Sequence, residues 1–250
     1  MKAVTTCTWD DVPHLSEEAK ADMLQSYPPY QRDARSKGIP QLGSGAIYPI
    51  PESEIVVPDF NIPTTWHHAY GMDVGWNWTA AVWGAKDPVS KVTYIYSCYK
   101  RGEAEPSIHA AAIRGRGVWI PGTIDPASRG RSQKDGTSLI DDYRALGLTL
   151  YPADNSVESG LLLVWNMLST GMLKVFQSCQ QYLEEYRLYR RDEKGRVVKQ
   201  NDHLMDAKRY LVVSGLDVAI PKPTVRLPIP GDSLDYSRHK PAVKKGSGLV

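Results

Sequence analysis

The sequence predicts an α/β domain built on a mixed sheet: an antiparallel meander first, parallel strands after it, and helices flanking its faces. Three observations carry that expectation. Between residues 66 and 99, three runs rich in aromatic and β-branched residues are separated by turn residues, the pattern of consecutive hairpin-linked strands. From residue 107 onward, stretches of helical periodicity alternate with short apolar runs, the pattern of strands joined by crossover helices. Acidic residues stand at the ends of two predicted strands and on the last predicted helix, from which distant parts of one chain can meet.

Residues 1–54 read as an attachment to this domain. Residues 16–24 suit a short helix with Ser16 as N-cap and Glu17 and Glu18 in its first turn, and Pro28-Pro29 stops it. Residues 30–51 are polar and rich in Gly and Pro, like a linker. The main domain is expected over residues 55–220. Its first strand lies within residues 66–75, the second is 80–85 and the third 92–99, with Gly75, Asn77, Asp87-Pro88 and Ser90 as turn residues. Residues 107–114 suit a helix and 118–124 a strand ending at Asp125. Residues 138–147 suit an amphipathic helix with Gly147 past its end. Then come a strand at 148–151, an apolar helix at 157–168, a strand at 173–176 and a helix at 179–187. Residues 186–199 alternate around Asp192-Glu193-Lys194-Gly195, a hairpin signal, and 202–214 suit the last helix. From residue 221 the chain is basic and rich in proline, a tail without a core of its own.

Composition narrows the class. The 250 residues are 42% apolar and 23% charged, enough for one sizeable core plus appendages. The net charge of +2 gives no global basic field, so a polyanionic partner requires locally arranged Lys and Arg. Cys7, Cys98 and Cys179 are widely spaced and odd in number, which argues against a disulfide framework or zinc site. Cys98 and Cys179 are expected to pack as small apolar groups. No apolar stretch is long enough to span a bilayer, and residues 1–11 lack an apolar signal segment, so the expectation is a soluble intracellular protein without a membrane partner.

The chemistry lies in Met72-Asp73-Val74-Gly75, in Thr123-Ile124-Asp125-Pro126 and in Asn201-Asp202-His203-Leu204-Met205-Asp206-Ala207. Asp202 and Asp206 are four apart and share a helix face. Carboxylates that converge repel one another unless cations neutralise them, and two divalent ions roughly 4 Å apart can hydrolyse phosphodiesters. Mg²⁺ or Mn²⁺ suits hard carboxylate oxygens. Asp73, Asp125 and one helix acid are a sufficient set; Asp206 is favoured as the direct ligand, with Asp202 as a further ligand or supporting it from behind. His203, about 100° round the helix from Asp202, is placed to orient a water or touch phosphate. Gly75 would let the turn after the first strand approach the metals or DNA closely.

Two basic stretches suit a phosphate backbone: Arg129, Arg131 and Lys134 just after Asp125, and Arg187, Arg190, Arg191, Lys194, Arg196 and Lys199 leading into the last helix. Neither suggests base readout. Plainer roles exist for each group. An Asp followed by Gly or Pro is commonly a turn residue, and Asp202 suits an N-cap. His67-His68 reads as structural, His109 as an ordinary surface histidine and Asp141-Asp142 as a solvated helix face. Trp66, Trp76, Trp78, Trp83, Trp119 and Trp165 read as core or rim.

Together, Met-Asp-Val-Gly, Thr-Ile-Asp-Pro, Tyr-Arg-Arg-Asp-Glu-Lys-Gly and Asn-Asp-His-Leu-Met-Asp-Ala-Lys-Arg-Tyr resemble the C-terminal nuclease domain of the large terminase subunit of tailed double-stranded DNA bacteriophages. The resemblance covers residues 55–215, and residues 201–210 are its most specific part. Residues 10–45 resemble the segment that joins the terminase ATPase domain to the nuclease. The resemblance implies a ribonuclease H-like fold, with Asp73 bridging two metals, Asp125 holding one and the helix Asp the other. It implies an endonuclease that cuts concatemeric DNA during headful packaging, with little sequence preference. Its implied partners are double-stranded DNA, the portal protein and the small terminase subunit. The implied setting is the host cell cytoplasm, as a phage-encoded protein that is not a virion component, and the isolated domain is expected to be a monomer. No GxxxxGK[ST] occurs, so the chain is expected to cut DNA but not to pump it. The same fold and acids also serve resolvase- or transposase-like enzymes, and a portal-docking adaptor with a dormant metal site belongs to a third class.

Overall fold

A computed structural model describes residues 8–12, 14–26, 36–37, 45–130 and 136–223. Helix α1 is Glu17–Ser26 and α2 is Glu52–Ile55. Seven strands follow: β1 Val56–Val57, β2 His67–Asp73, β3 Thr79–Lys86, β4 Thr93–Arg101, β5 Gly122–Ile124, β6 Leu150–Pro152 and β7 Leu173–Phe176. The remaining helices are α3 Pro106–Arg114, α4 Leu139–Ala145, α5 Val157–Ser169, α6 Gln180–Leu188 and α7 His203–Val213.

The strands form one sheet in the order β1-β7-β4-β3-β2-β5-β6. β2, β3 and β4 pair antiparallel, as the three aromatic and β-branched runs predict. β5 lies parallel to β2, β6 parallel to β5, and β7 parallel to both β4 and β1. Side chains alternate between the two faces of the sheet, so it carries two cores. On one face Ala69, Ala80, Val82 and Ile95 pack with Leu161 and Val164 of α5, Tyr182 and Leu183 of α6, and Ala207 and Leu211 of α7. On the other, Tyr70, Met72, Ala81 and Trp83 pack with Ala110 and Ile113 of α3 and Ile140 and Tyr143 of α4.

Several expectations change. The segment expected to be linker reaches into the first core, where Tyr48 and Ile50 are buried and the Ile47 N–H donates to the Tyr189 carbonyl. The strand expected over 118–124 shortens to β5, because Gly117 turns the chain with φ of 142° and Pro121 has no N–H to give a ladder. The expected hairpin is reduced to one bridge, Arg191 with Val197, because residues 186–188 complete α6. His109 is buried, hydrogen-bonded to the Tyr99 hydroxyl and the Ala104 carbonyl. Trp83 is core as expected, whereas Trp76, Trp78 and Trp165 are exposed. At the other end, Ile220 pairs with His68 and the Lys222 N–H donates to the Thr64 carbonyl. Most of the expected tail, residues 224–250, lies outside the described residues.

Candidate metal centre

β2 and β5 place the first two acids. Met72 stands opposite Ile124 in the parallel register, and the Asp125 N–H donates to the Met72 carbonyl at 3.1 Å. Asp73 and Asp125 therefore leave the carboxyl ends of adjacent parallel strands side by side, where open α/β sheets commonly bind ligands. The third acid arrives on α7. This helix crosses β2 so closely that a Cβ on Gly71 would lie 2.0 Å from the Ala207 carbonyl and 2.5 Å from the Leu211 nitrogen. Only glycine permits that approach. Thr123 Oγ1 donates to the Tyr210 carbonyl at 3.0 Å and ties β5 to the same helix.

Burial raises the Asp73 carboxyl above its ordinary range, and repulsion from Asp206 and Asp125 adds to the shift. A hydrogen bond to His203 opposes it: Nδ1 lies 2.9 Å from Asp73 Oδ2, and that bond holds the His203 imidazole above its own ordinary value. Asp125 Oδ1 accepts from the Ala127 N–H at 3.0 Å, capping the short helix Pro126–Arg129. Asp206 Oδ2 accepts from Lys199 Nζ at 2.9 Å, and its Oδ1 from Arg209 Nη2 at 3.2 Å. Lys199 Nζ also lies 3.2 Å from Asp202 Oδ2, so its ammonium group sits between the two helix acids.

Among the described residues, no three His, Cys, Asp or Glu side chains stand close enough together to hold an ion. The carboxylates share a neighbourhood, but N–H donors hold them. Asp202 occupies the N-cap position of α7 yet makes no side-chain cap bond. Glu185, buried on α6, caps the helix instead: its Oε2 accepts from the Leu204 N–H at 2.7 Å while its Oε1 pairs with Lys100 Nζ at 2.5 Å. Gly75 touches its own turn, where Thr79 Oγ1 donates to its carbonyl.

The basic residues divide. Arg129 is exposed at the end of the turn after Asp125, while Arg131 and Lys134 lie outside the described residues. Arg190 and Lys194 are exposed and make no ion pair among the described residues. The others are engaged: Arg187 with Glu52, Arg191 with Glu158 at 2.6 Å, Arg196 with Asp192, and Lys199 with the helix acids.

The family described as the terminase RNaseH-like domain matches residues 70–214, a span containing all four acids. The chain belongs to the terminase RNaseH-like domain family. Its mixed seven-stranded sheet flanked by helices is a ribonuclease H-like fold. The chain is 34% identical over 217 residues to the terminase large subunit of Salmonella phage P22, covering 83% of this chain and 43% of that protein. The same identity holds for the terminase large subunit of Enterobacteria phage LP7, of which 45% is covered. The chain thus spans less than half the length of these relatives. Among solved structures it resembles the P22 large terminase nuclease domain, with a TM-score of 0.65 and 30% identity over 72% of this chain and 96% of that one. The large terminase of a thermophilic bacteriophage matches with a TM-score of 0.59 and 25% identity over 82% of this chain and 53% of that one.

Sequence reasoning missed three residues that organise this terminase domain. Gly71 carried a readable signal, a glycine inside an apolar strand, which marks close backbone approach. Glu185 and Arg209 carried none: each acts on a partner distant in sequence or hidden in the same helix.

Proposed function

We propose that this terminase domain is a metal-dependent endonuclease that cuts concatemeric double-stranded viral DNA during genome packaging, with little sequence preference. The supporting observation is the neighbourhood of Asp73, Asp125 and Asp206 at one end of the sheet, in a chain similar to the P22 nuclease domain. The donor set fits Mg²⁺ or Mn²⁺, since all three groups offer hard oxygens. Asp73 is raised by burial and by its two acidic neighbours, so the site favours added positive charge. Lys199 already supplies one such charge between Asp202 and Asp206. Asp73, Asp125 and Asp206 would hold the metal, with Asp202 beside Asp206. Two bound ions would supply an activated water and charge relief at the scissile phosphate.

The chain's own residues do the rest. His203 fixes the orientation of Asp73 through its Nδ1 contact. Arg209 holds Asp206 from within the core, and Lys199 must swing away before an ion can take its place. Arg129, Arg190 and Lys194 are exposed and serve the phosphate backbone. Arg131 and Lys134 follow Arg129 in sequence and are proposed for the same role. Portal protein and small terminase subunit are the proposed partners, and the host cytoplasm is the proposed setting.

Plasmid incubated with the purified chain and Mg²⁺ or Mn²⁺ tests this reading. Cutting that EDTA, Asp73→Ala and Asp206→Ala each abolish supports it. Plasmid left intact by wild type and variants alike would turn the assignment to a portal-docking adaptor. Cutting confined to four-way junctions, with linear DNA left intact whether or not it carries unpaired bases, would turn it to a resolvase.

A further inference from the structure

Three and five residues beyond Asp73, Trp76 and Trp78 stand out in water, 70% and 44% exposed. Their loop is not slack. Thr79 Oγ1 donates to the Gly75 carbonyl and the Glu103 N–H donates to the Trp76 carbonyl, both at 3.1 Å. A Cβ on Gly102 would lie 2.2 Å from the Asn77 carbonyl, so the loop backbone is pressed onto the end of β4. Lys100 Nζ lies 4.7 Å from the centre of the Trp78 ring, positioned by its pair with Glu185. Beside it opens a cavity of about 240 Å³ with Trp78 and Leu188 as its apolar wall and Lys100, Gln181, Glu184, Glu185 and Asn201 as its polar lining, a space suited to an uncharged ring rather than a phosphate. The pinned backbone holds the two indoles at the surface at fixed positions, so their rings are presented without the ordering cost of a mobile loop.

We propose that the loop carrying Trp76 and Trp78 binds an unstacked base of the DNA beside the cleavage point. This rests on the nuclease reading of the Asp73 site. The loop continues directly from Asp73, so a strand whose phosphate reaches that carboxylate brings its neighbouring bases to the indoles. Every base has a π-face, so stacking tolerates any sequence and adds no base-edge readout. Lys100 stacks on Trp78 while its charge is paired with Glu185, so the loop offers ring faces rather than a free phosphate clamp, and DNA held at Asp73 is the partner that chain continuity brings to it. Bases offer their faces only where the duplex is opened, so the preferred substrate has unpaired bases at a gap or a frayed end.

The test is binding of the intact chain in EDTA to a blunt duplex and to the same duplex with a short unpaired end. Wild type is expected to favour the unpaired end about tenfold, with quenching of tryptophan fluorescence. Trp76→Ala and Trp78→Ala are expected to erase the preference while blunt-duplex affinity, set by phosphate contacts, changes less than about twofold. Trp76→Tyr keeps a ring and should retain most of the preference. Equal binding of both duplexes by wild type overturns the proposal, as does a preference that survives in the double Ala variant. If plasmid is still cut with Mg²⁺ in that case, only the stacking site falls. If the preference stands but no metal supports cutting, only the nuclease reading falls.

Discussion

Asp73 is where the competing forces of the site are most visible. Burial comes first and raises its carboxyl; the His203 bond lowers it, and Asp206 and Asp125 raise it again. The folded chain therefore holds the Asp73 proton to higher pH than the unfolded chain does. Between the ordinary value of 3.8 and the raised one, the folded state binds more protons, so stability falls as pH rises through that window. Asp73→Asn removes this penalty. The metal-free variant is expected to melt at or above the wild-type temperature at neutral pH, with the difference vanishing below 3.8, read by calorimetry across pH. A lower melting temperature at neutral pH would mark Asp73 as structural. His203 works in the opposite direction: its raised value contributes stability below 6.5 that is lost as pH rises through the folded-state value. Asp73→Asn should also lose on the order of a thousandfold in cutting rate, about 4 kcal/mol of transition-state stabilisation. Lys199 offers a second test. Its side chain is 67% exposed, so the bridge to Asp202 and Asp206 is cheap to open, yet it competes with any incoming cation. Titration calorimetry with Mn²⁺ should show about tenfold tighter binding by Lys199→Ala, ~1.4 kcal/mol, and unchanged affinity would remove Lys199 from the role of competitor.

The element that assembles the site is α7. Its first turn is capped from α6 by Glu185, its inner face lies on β2 at Gly71, and Thr123 anchors its last turn. Gly71→Ala forces a methyl group into the helix backbone. Destabilisation of about 1–3 kcal/mol is expected by chemical denaturation, and cutting should fall further than the lost folded fraction explains, because Asp206 is pushed away from Asp73. Wild-type activity and stability in that variant would show that the helix position is not decisive. Most elements were legible in the sequence. The meander, the apolar α5 and the amphipathic α4 with Gly147 past its end all follow from local pattern. The hairpin was legible at its turn, where the Gly195 N–H donates to the Asp192 carbonyl and Arg191 bridges Val197; its ladder is shorter than the alternation suggested because residues 186–188 belong to α6.

For the whole molecule, the proposed metal centre implies that divalent cations stabilise the fold. At a hundredfold excess over the dissociation constant, binding adds about 2.7 kcal/mol, a rise of several degrees in melting temperature with Mg²⁺ or Mn²⁺. Asp73→Asn and Asp206→Asn should each abolish most of that rise. No rise in wild type would count against the metal centre independently of any cutting assay. No helix among the described residues is long and apolar enough to cross a membrane.

The chain's own residues, read in order, determined the strand and helix pattern, the three acidic stretches and the family they resemble, because propensity, periodicity and short motifs act over neighbouring residues. Only the tertiary structure decided which cation faces which acid. Arg191 and Arg187 turn to Glu158 and Glu52, while Lys199 turns inward to Asp202 and Asp206. It also decided that Trp76 and Trp78 stay in water rather than join Trp83 in the core. Ion pairs and burial are set by distances across the fold, and those distances exist only once the sheet has brought remote segments together.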